Sequence, residues 1–507
     1  MSVKKNIIAN YVGQGWRALM GLAFVPLYIE YLGIEAYGLI GIFAVLQAWL
    51  ALLDFGMKPA LGREMGRLTG GSHTPQSIRD LLRTIEVLSL ILSGAIAAAI
   101  CAAADWLATE WITAQSLPAA VVAAAFCMMG IVTALRFVEG IYVTTLVGLQ
   151  RQVLENVATS ILATARGAGA VGVLAWVSPT IEAFFVWQAL MSLLSVGVVG
   201  SVVYRVLPGA PRAARFSWST LTGVWHFAAG MVAINLLALL FTQLDKILLS
   251  RILTLEAFGY YAFAGIVVGA LSMVVGPITT AFYPRFTELA TRGDEVALRA
   301  VYHLGAQMVS VLVGASAVVL ILFADRVLLL WTGNVLLARE ASALLAILAA
   351  GTLLNGLIWI PYQVQLAHGW TSLTIRINSL AVVVQVPAIL WAVPNYGPIG
   401  AAWVWVLLNA GCLLLVGYSM HRHLLRTERR RWYLQDVAIP LAAAAGTAWL
   451  LSWALPRNLG RLADLMAMGF TFACVVLVAT LAAPLIRSQV FRLLTARPGA
   501  AISGRRV

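Results

Sequence analysis

The sequence predicts an all-α integral membrane protein of about 14 transmembrane helices, and three observations lead there. Of its 507 residues 61% are hydrophobic and only 11% charged, whereas soluble globular chains are roughly 25% charged; a surface so poor in charge has to be covered by lipid. The apolar residues fall into continuous windows near the ~20 residues that a helix needs to cross the hydrocarbon core. The basic residues, finally, segregate by side of the membrane. Barrel strands alternate apolar and polar positions, and these runs do not.

In order, the windows lie near 7–29, 37–57, 82–104, 118–147, 155–177, 181–203, 223–250, 257–284, 300–323, 340–366, 373–393, 396–418, 437–455 and 462–483. Span one follows a basic start, Met1–Asn6, but carries Gln14 and Arg17 and lacks a small-residue cleavage pattern, so it reads as a span and not a cleaved signal. The connections are short. The longest outer ones, near 105–117 and 324–339, and the inner ones at 58–81, 204–222, 285–299 and 419–436 are too small to fold alone. The chain's work is therefore expected inside the helix bundle.

With the N-terminus in the cytoplasm, 25 of the 34 Lys and Arg fall in cytoplasmic segments. Lys58, Arg63, Arg67, Arg79 and Arg83 share one loop, and Arg422, Arg426, Arg429, Arg430 and Arg431 another. The outer segments hold Arg251, Arg326, Arg339, Arg457 and Arg461. This is the positive-inside pattern, and an even number of spans puts both termini in the cytoplasm. The net charge of +13 then reads as topology and contact with anionic headgroups, with no nucleic-acid partner.

The chain also repeats itself. Ile34-Glu35-Ala36-Tyr37-Gly38 opens span two, and Leu255-Glu256-Ala257-Phe258-Gly259 opens span eight, 221 residues later. Six spans separate them, so the two units run in the same direction. The expected organisation is an N-terminal lobe over 1–215 (spans 1–6), a C-terminal lobe over 216–420 (spans 7–12), appended spans 13–14 in 421–485, and a basic cytoplasmic tail at 486–507. Secondary transporters use such repeats to build two lobes around a midplane site. Pro277, Pro361 and Pro387 within spans and the stretch Gly167–Gly172 read as soft points suited to rocking. Trp106, Trp111, Trp331, Trp391, Trp432 and Trp453 near span ends read as an interfacial belt. The six His show no metal-ligand spacing, and His421 and His423 read as solvated in a basic loop. Cys101, Cys127, Cys412 and Cys474 sit singly in apolar spans, as packing residues. Neither metal nor cofactor is expected.

Charge inside a span costs several kcal/mol and so faces protein or a watery cavity. In span one Asn6, Asn10, Gln14, Arg17 and Gly21 recur at steps of three and four, one polar stripe on a helix. Arg166 lies midway along span five, on a face with Asn156 and Thr159. Arg136 and Glu139 are three apart in span four and within reach of each other. Span seven carries Asn235, Thr242, Asp245 and Lys246, and Asp54 and Lys58 are four apart where span two meets the cytoplasm. Four midspan cations, Arg17, Arg136, Arg166 and Lys246, stand against three acids, Asp54, Glu139 and Asp245. The functional reading is a cationic cavity in which Arg17 and Arg166, with no acid near them in sequence, meet an anion through bidentate contacts, beside Gln14 and Asn10. The structural reading is that these cations pair with acids of other spans and pin helices together, with Glu139 and Asp245 as structural charges or carriers of a coupling proton. The chain has no G-x-x-x-x-G-K-S/T loop for ATP, no D-x-D pair and no large outer loop. A gradient-driven carrier is expected, and not an enzyme.

At these residues the chain resembles the polysaccharide transporter family, the O-antigen and exopolysaccharide flippases of the multidrug/oligosaccharidyl-lipid/polysaccharide exporter superfamily. The likeness runs through Asn10-Tyr11 to Pro26-Leu27-Tyr28, the turn Tyr31-Leu32-Gly33-Ile34-Glu35-Ala36-Tyr37-Gly38, and Leu53-Asp54-Phe55-Gly56-Met57 with Arg63 and Glu64. It continues at Gly148-Leu149-Gln150-Arg151 with Asn156, at Gln243-Leu244-Asp245-Lys246, and at Tyr396-Gly397-Pro398-Ile399-Gly400-Ala401-Ala402. The resemblance implies a flippase that moves undecaprenyl-diphosphate-linked oligosaccharide from the cytoplasmic to the periplasmic leaflet of the bacterial inner membrane by alternating access. It implies partners in the lipid-linked oligosaccharide, membrane lipids, and polysaccharide polymerase and export machinery. Asp54, Arg63 and Asp245 match its motifs, as gating or folding residues. Alternatives are a multidrug or cation antiporter of the same superfamily, which should favour acids in its cavity, and a polymerase or ligase acting on lipid-linked glycans.

Overall fold

The computed structural model describes residues 3–50, 57–69, 74–217, 236, 239–456 and 460–495. Apart from one isolated bridge, Thr113 to Thr254, the regular structure among them is helical. Eleven helices are long and apolar enough to cross a membrane, which makes this a multi-pass membrane protein. Most of the expected spans map onto them, the helix Val3–Ala23 of span one and span seven not being among the eleven, and two differences are instructive. Spans 11 and 12 form one continuous 52-residue element, Ser372–His423, that leaves helical geometry only at Gly397 (φ 59°, ψ −150°). The helix Val25–Leu50 likewise breaks at Gly33 (φ 80°, ψ 164°). Span one thus ends at Gly33, and span two opens on the repeated motif itself. A side chain at either glycine would be forced into a region open essentially to glycine alone.

The chain forms two compact units, Met1–Ala262 and Phe263–Val507. The first contains α1 (Val3–Ala23), α2 (Val25–Leu50), α3 (Met57–Thr69), α4 (Pro75–Trp106), α5 (Ala119–Gly148), α6 (Gln152–Trp176), α7 (Ile181–Val206) and α8 (residues 239–252). The expected span seven begins at 223, so most of its first half lies outside the described residues. α5 is the central helix and packs on α4, α7 and α3, while α6 lies between α1 and α7. Aromatic and aliphatic residues fill one half of this unit, among them Phe43, Phe126, Met129, Phe184 and Phe185. Leu61, Met65, Ile78, Ile141 and Val203 fill the other half. α4 starts where Thr74 caps it, its Oγ1 accepting from the Ser77 N–H at 3.1 Å while Ser77 Oγ accepts from the Thr74 N–H at 3.1 Å, which satisfies two otherwise orphaned donors.

The second unit contains α9 (Leu255–Arg292, from Phe263 onward), α10 (Glu295–Leu322), α11 (Ala324–Thr332), α12 (Val335–Ala367), α13 (Ser372–His423), α14 (Arg429–Arg431), α15 (Ile439–Ala454), α16 (Arg461–Ala482) and α17 (Pro484–Thr495). A π-helical stretch, Trp432–Ala438, joins α14 to α15. α10 is the hub and meets α12, α15 and α16. The contact is built from small residues, Ala315, Ala444, Ala448 and Ala479 with Val311 and Val475, as dispersion-driven helix association in lipid requires. Of the expected basic tail, residues 496–507 lie outside the described residues.

The two copies of the repeated motif meet each other within the first unit. A Cβ on Gly38 would fall 2.5 Å from the Leu255 carbonyl oxygen, and one on Gly259 would fall 2.4 Å from that of Ile34. Ile34 and Leu255 open the two copies, and Gly38 and Gly259 close them, so the crossing is reciprocal. One turn on, a Cβ on Gly41 would lie 2.6 Å from that of Ala262. The segment between α4 and α5 is strapped to the same crossing. The Leu255 N–H donates to the Thr113 carbonyl at 2.9 Å, and the Glu35 carboxylate accepts from the N–H groups of Gln115 at 2.5 Å and Ser116 at 3.0 Å.

Three expectations are corrected by packing. The Gly167–Gly172 stretch is a close-contact surface and not a soft point: a Cβ on Gly167 would enter the Phe24 ring and one on Gly169 the Trp187 ring, at 2.3 and 2.0 Å. Trp432 is fully buried, its ring tilted against that of His421, and does not join the interfacial belt, whereas Trp106, Trp391 and Trp453 are exposed. His421 is buried too, because α13 continues through it; only His423 of that pair is exposed.

Candidate functional site

All the charged residues singled out within spans belong to the first unit, and the helix pairings decide what each meets. The polar stripe of α1 lies along α6. Asn156 Nδ2 donates to Asn10 Oδ1 at 2.8 Å, and Gly13 leaves room for the Asn156 side chain. One turn on, Arg17 Nη1 donates to Thr159 Oγ1 at 2.5 Å and to Glu155 Oε1 at 3.4 Å. On the other flank of the same seam Trp16 Nε1 donates to Thr164 Oγ1 at 2.8 Å, beside an apolar groove of about 660 Å³ lined by Val12, Val157 and Ile161. Gln14 is exposed on α1.

The central helix supplies the second group. Arg136 on α5 is gripped by two amide oxygens, Gln47 Oε1 and Gln188 Oε1, each 2.8 Å away, and its guanidinium lies 5.1 Å from the centre of the Phe43 ring. Its Nε has no partner among the described residues. The expected contact with Glu139 does not form. Glu139 pairs across helices with Arg166 of α6 at 3.3 Å, and Arg166 also reaches Ser195 Oγ at 3.0 Å. Arg136, Arg166, Glu139 and Tyr28 share one electrostatic neighbourhood.

The structure therefore reverses the order of the cations. Arg17 and Arg166, which have no acid near them in sequence, each have a carboxylate of another helix within 3.4 Å. Arg136 has no carboxylate within 4 Å among the described residues. Glu155 explains the difference. It opens span five, in the window 155–177, and brings the acids of that comparison to four against the four cations. Its signal is legible in the sequence: an acid four residues before Thr159 lies on the Asn156 face of α6. Gln47 and Gln188 escape the sequence reading because they are uncharged and lie in spans two and six.

Asp245 is buried on α8, with Oδ2 accepting from Tyr261 Oη at 3.0 Å. Lys246 donates to Gln243 Oε1 at 2.9 Å and lines a cavity of about 200 Å³ with Trp49, Trp111 and Ser250. Asp54 and the Arg63 side chain lie outside the described residues. Among the described residues no group of His, Cys, Asp and Glu could hold a metal ion, and the four cysteines are free.

This arrangement holds cations midway through a bundle of membrane helices, two of them with only one carboxylate contact. Arg17 keeps 32% of its side chain exposed and Arg166 18%. The model of a family described as polysaccharide biosynthesis protein matches residues 3–290, a stretch that contains every motif noted above except Tyr396–Ala402. The chain belongs to that family. No curated protein sequence matches it, but solved structures do. A structure of lipid II flippase MurJ in an inward closed conformation covers 97% of this chain and 99% of its own, with a TM-score of 0.69 and 12% identity. An inward-facing multidrug resistance MATE family transporter of the MOP superfamily covers 81% and 96%, with a TM-score of 0.64 and 15% identity. An outward-facing structure of a multidrug resistance MATE family transporter covers 84% and 94%, with a TM-score of 0.54 and 16% identity. At these identities the likeness is one of fold, and the fold of this family member is that of the MOP superfamily.

Proposed function

We propose that the protein is a flippase that carries undecaprenyl-diphosphate-linked oligosaccharide from the cytoplasmic to the periplasmic leaflet of the bacterial inner membrane, for O-antigen, capsule or exopolysaccharide synthesis. The observation that carries this reading is Arg136: a half-buried cation in the central helix, held by two neutral amides and set over the Phe43 ring, with no carboxylate in reach among the described residues. Amide oxygens orient a guanidinium without neutralising it, which leaves its charge for an anion. A diphosphate and a sugar chain cannot enter hydrocarbon bare, because each uncompensated polar group costs several kcal/mol. Arg136 offers the diphosphate a charge-assisted fork. Arg17 and Arg166 join it by exchanging their single carboxylate contacts for phosphate. The isoprenoid tail stays in the bilayer meanwhile. In this reading the lobes 1–215 and 216–420 alternate between access states, with spans 13–14 appended, both termini cytoplasmic, and polymerase and export machinery receiving the product.

The test is complementation of a strain that lacks the chain, with protein level held equal. Arg136→Gln is expected to reduce surface polysaccharide at least tenfold, with lipid-linked oligosaccharide accumulating on the inner leaflet. Undiminished polysaccharide in Arg136→Gln would overturn the anion role. A deletion strain with normal polysaccharide and new sensitivity to cationic drugs would identify an antiporter instead.

A further inference from the structure

The second unit buries its own set of titratable groups, which the flippase reading does not use. His303 on α10 is fully enclosed, yet both of its ring nitrogens face carboxylates. Nδ1 meets Asp436 Oδ2, and Nε2 lies 2.9 Å from Glu428 Oε2. Asp436, in the π-helical stretch before α15, is also fully buried. Its other oxygen accepts from Gln307 Nε2 at 2.8 Å, and Gln307 is held in that orientation because its Oε1 accepts from the Leu485 N–H at 2.9 Å. Glu428 is the rim member, its side chain 13% exposed; it also accepts from Thr427 Oγ1 at 3.0 Å, and Arg299 approaches it to 3.8 Å.

A neighbouring histidine supplies an internal control. His421 Nδ1 lies 2.6 Å from the Gly417 carbonyl, which only accepts, so Nδ1 bears the proton. Nε2 then accepts from Tyr302 Oη at 3.1 Å. One proton satisfies His421 as a neutral ring. One proton cannot satisfy His303. A neutral imidazole has one donor and one acceptor nitrogen, and its acceptor would confront a carboxylate oxygen with lone pair against lone pair. Unpaired buried polar groups are costly. Three groups in this geometry, two carboxylates and one ring, need two protons between them. The remaining charged and titratable neighbours do not lift that requirement: Arg299 on α10 lies on the Glu428 side, Arg429 stacks over Tyr418, and Tyr302, Tyr433 and His421 are neutral.

We propose that His303, Asp436 and Glu428 form a proton-binding site. Its bound proton fastens the segment 424–431, and through it the start of α15, to α10. When the proton leaves, Glu428 loses its donor. As the one rim member it moves toward water, and segment 424–431 lifts with it. The site's ligand is a proton, whatever cargo the chain carries.

Leu425 is fully buried in that segment and Arg426 is exposed, which gives a direct reading in the full-length protein in proteoliposomes. A membrane-impermeant maleimide is used to label Leu425→Cys and, separately, Arg426→Cys as the exposed reference. Their ratio cancels the ordinary rise of thiolate with pH. The expected result is a ratio that climbs at least fivefold as pH is raised from 5 to 9, and stays flat when His303→Gln is added. If His303→Gln fails to fold, Glu428→Gln replaces it. An amide at 428 donates to the ring nitrogen, so the site is satisfied without the second proton, and the ratio is again flat. A flat ratio in the protein with His303 and Glu428 intact, or an unchanged pH profile in a folded His303→Gln or Glu428→Gln, overturns the proposal.

Discussion

The polar interiors of the two units solve the same problem in opposite ways. In the first, Arg17, Arg136 and Arg166 sit where amides, hydroxyls and single carboxylate contacts hold them, and all three stay partly exposed. In the second, the cluster around His303 and the Asn355–Asn409 pair are closed by hydrogen bonds, while among the described residues Ser310 Oγ, Gln365 Nε2 and Gln385 Oε1 are left over. His303 has both nitrogens engaged, Gln307 bridges Asp436 to the start of α17, and Asn355 Nδ2 donates to Asn409 Oδ1 at 2.8 Å between α12 and α13. Guanidinium groups have five donors, and one or two contacts leave donors over; a saturated amide or imidazole leaves none. The difference teaches that spare hydrogen-bonding capacity inside a membrane protein, and not charge alone, marks the place kept for a ligand.

That contrast can be broken. The largest effect is expected at the saturated network. His303→Leu leaves the buried Asp436 carboxylate with one amide partner, and removing one member of a buried charged pair costs about 3–5 kcal/mol. The variant should be lost from the membrane or unfold well below the parent in a thermal assay; an unchanged midpoint would show that the network does not hold the unit together. At the arginines the sign of the effect divides. Arg136→Gln should leave the thermal midpoint close to that of the parent, since Gln47, Gln188 and a third amide can bond to one another, while transport falls at least tenfold. A matched fall in midpoint and transport would make Arg136 a structural residue.

A pH series sharpens the comparison further. Burial alone would raise the Glu428 carboxyl, but hydrogen bonds from His303 and Thr427 and the nearby His303 and Arg299 charges outweigh it and hold the group below its ordinary value. A carboxyl depressed in the fold contributes stability that is present above its unfolded value, about 4.3, and that is lost as pH falls through the lower folded value. Glu428→Gln should therefore be less stable than the parent at neutral pH, and the two should converge on acidification. Parallel curves would remove Glu428 from the network. The smallest effect is expected at Asn355→Ala, about 0.6 kcal/mol, the average for an interhelical side-chain hydrogen bond in a membrane. A loss of several kcal/mol there would mean that α12 and α13 depend on one amide pair.

Hydropathy makes the class and most of the spans legible, because the bilayer imposes a length on each helix that a sequence window reads directly. The repeat is legible at the same level, since its five residues recur at matching span starts. The site is legible only in part. A stripe at steps of three and four shows that Asn10 and Arg17 share a face, but not that the face meets Glu155 and Asn156 of α6. Glu139 lies one turn from Arg136 in sequence, yet its partner is Arg166, because the crossing of α5 and α6 sets which rotamer finds a cation. His421 and Trp432 mislead for a related reason. A run of arginines around them suggests water, while α13 and the π-helical stretch turn these two side chains inward.

The crossing of Gly38 over Leu255 and Gly259 over Ile34 has a further consequence. A surface patch that meets its own copy is isologous, the geometry by which identical subunits form a closed pair. Each half of this crossing is therefore interchangeable with the other. A chain that carries Leu-Glu-Ala-Phe-Gly at both positions should close the same contact, whereas alanine at either glycine should disturb both partners at once. Two stretches of one gene, 221 residues apart, are bound to vary together here as the faces of a homodimer do.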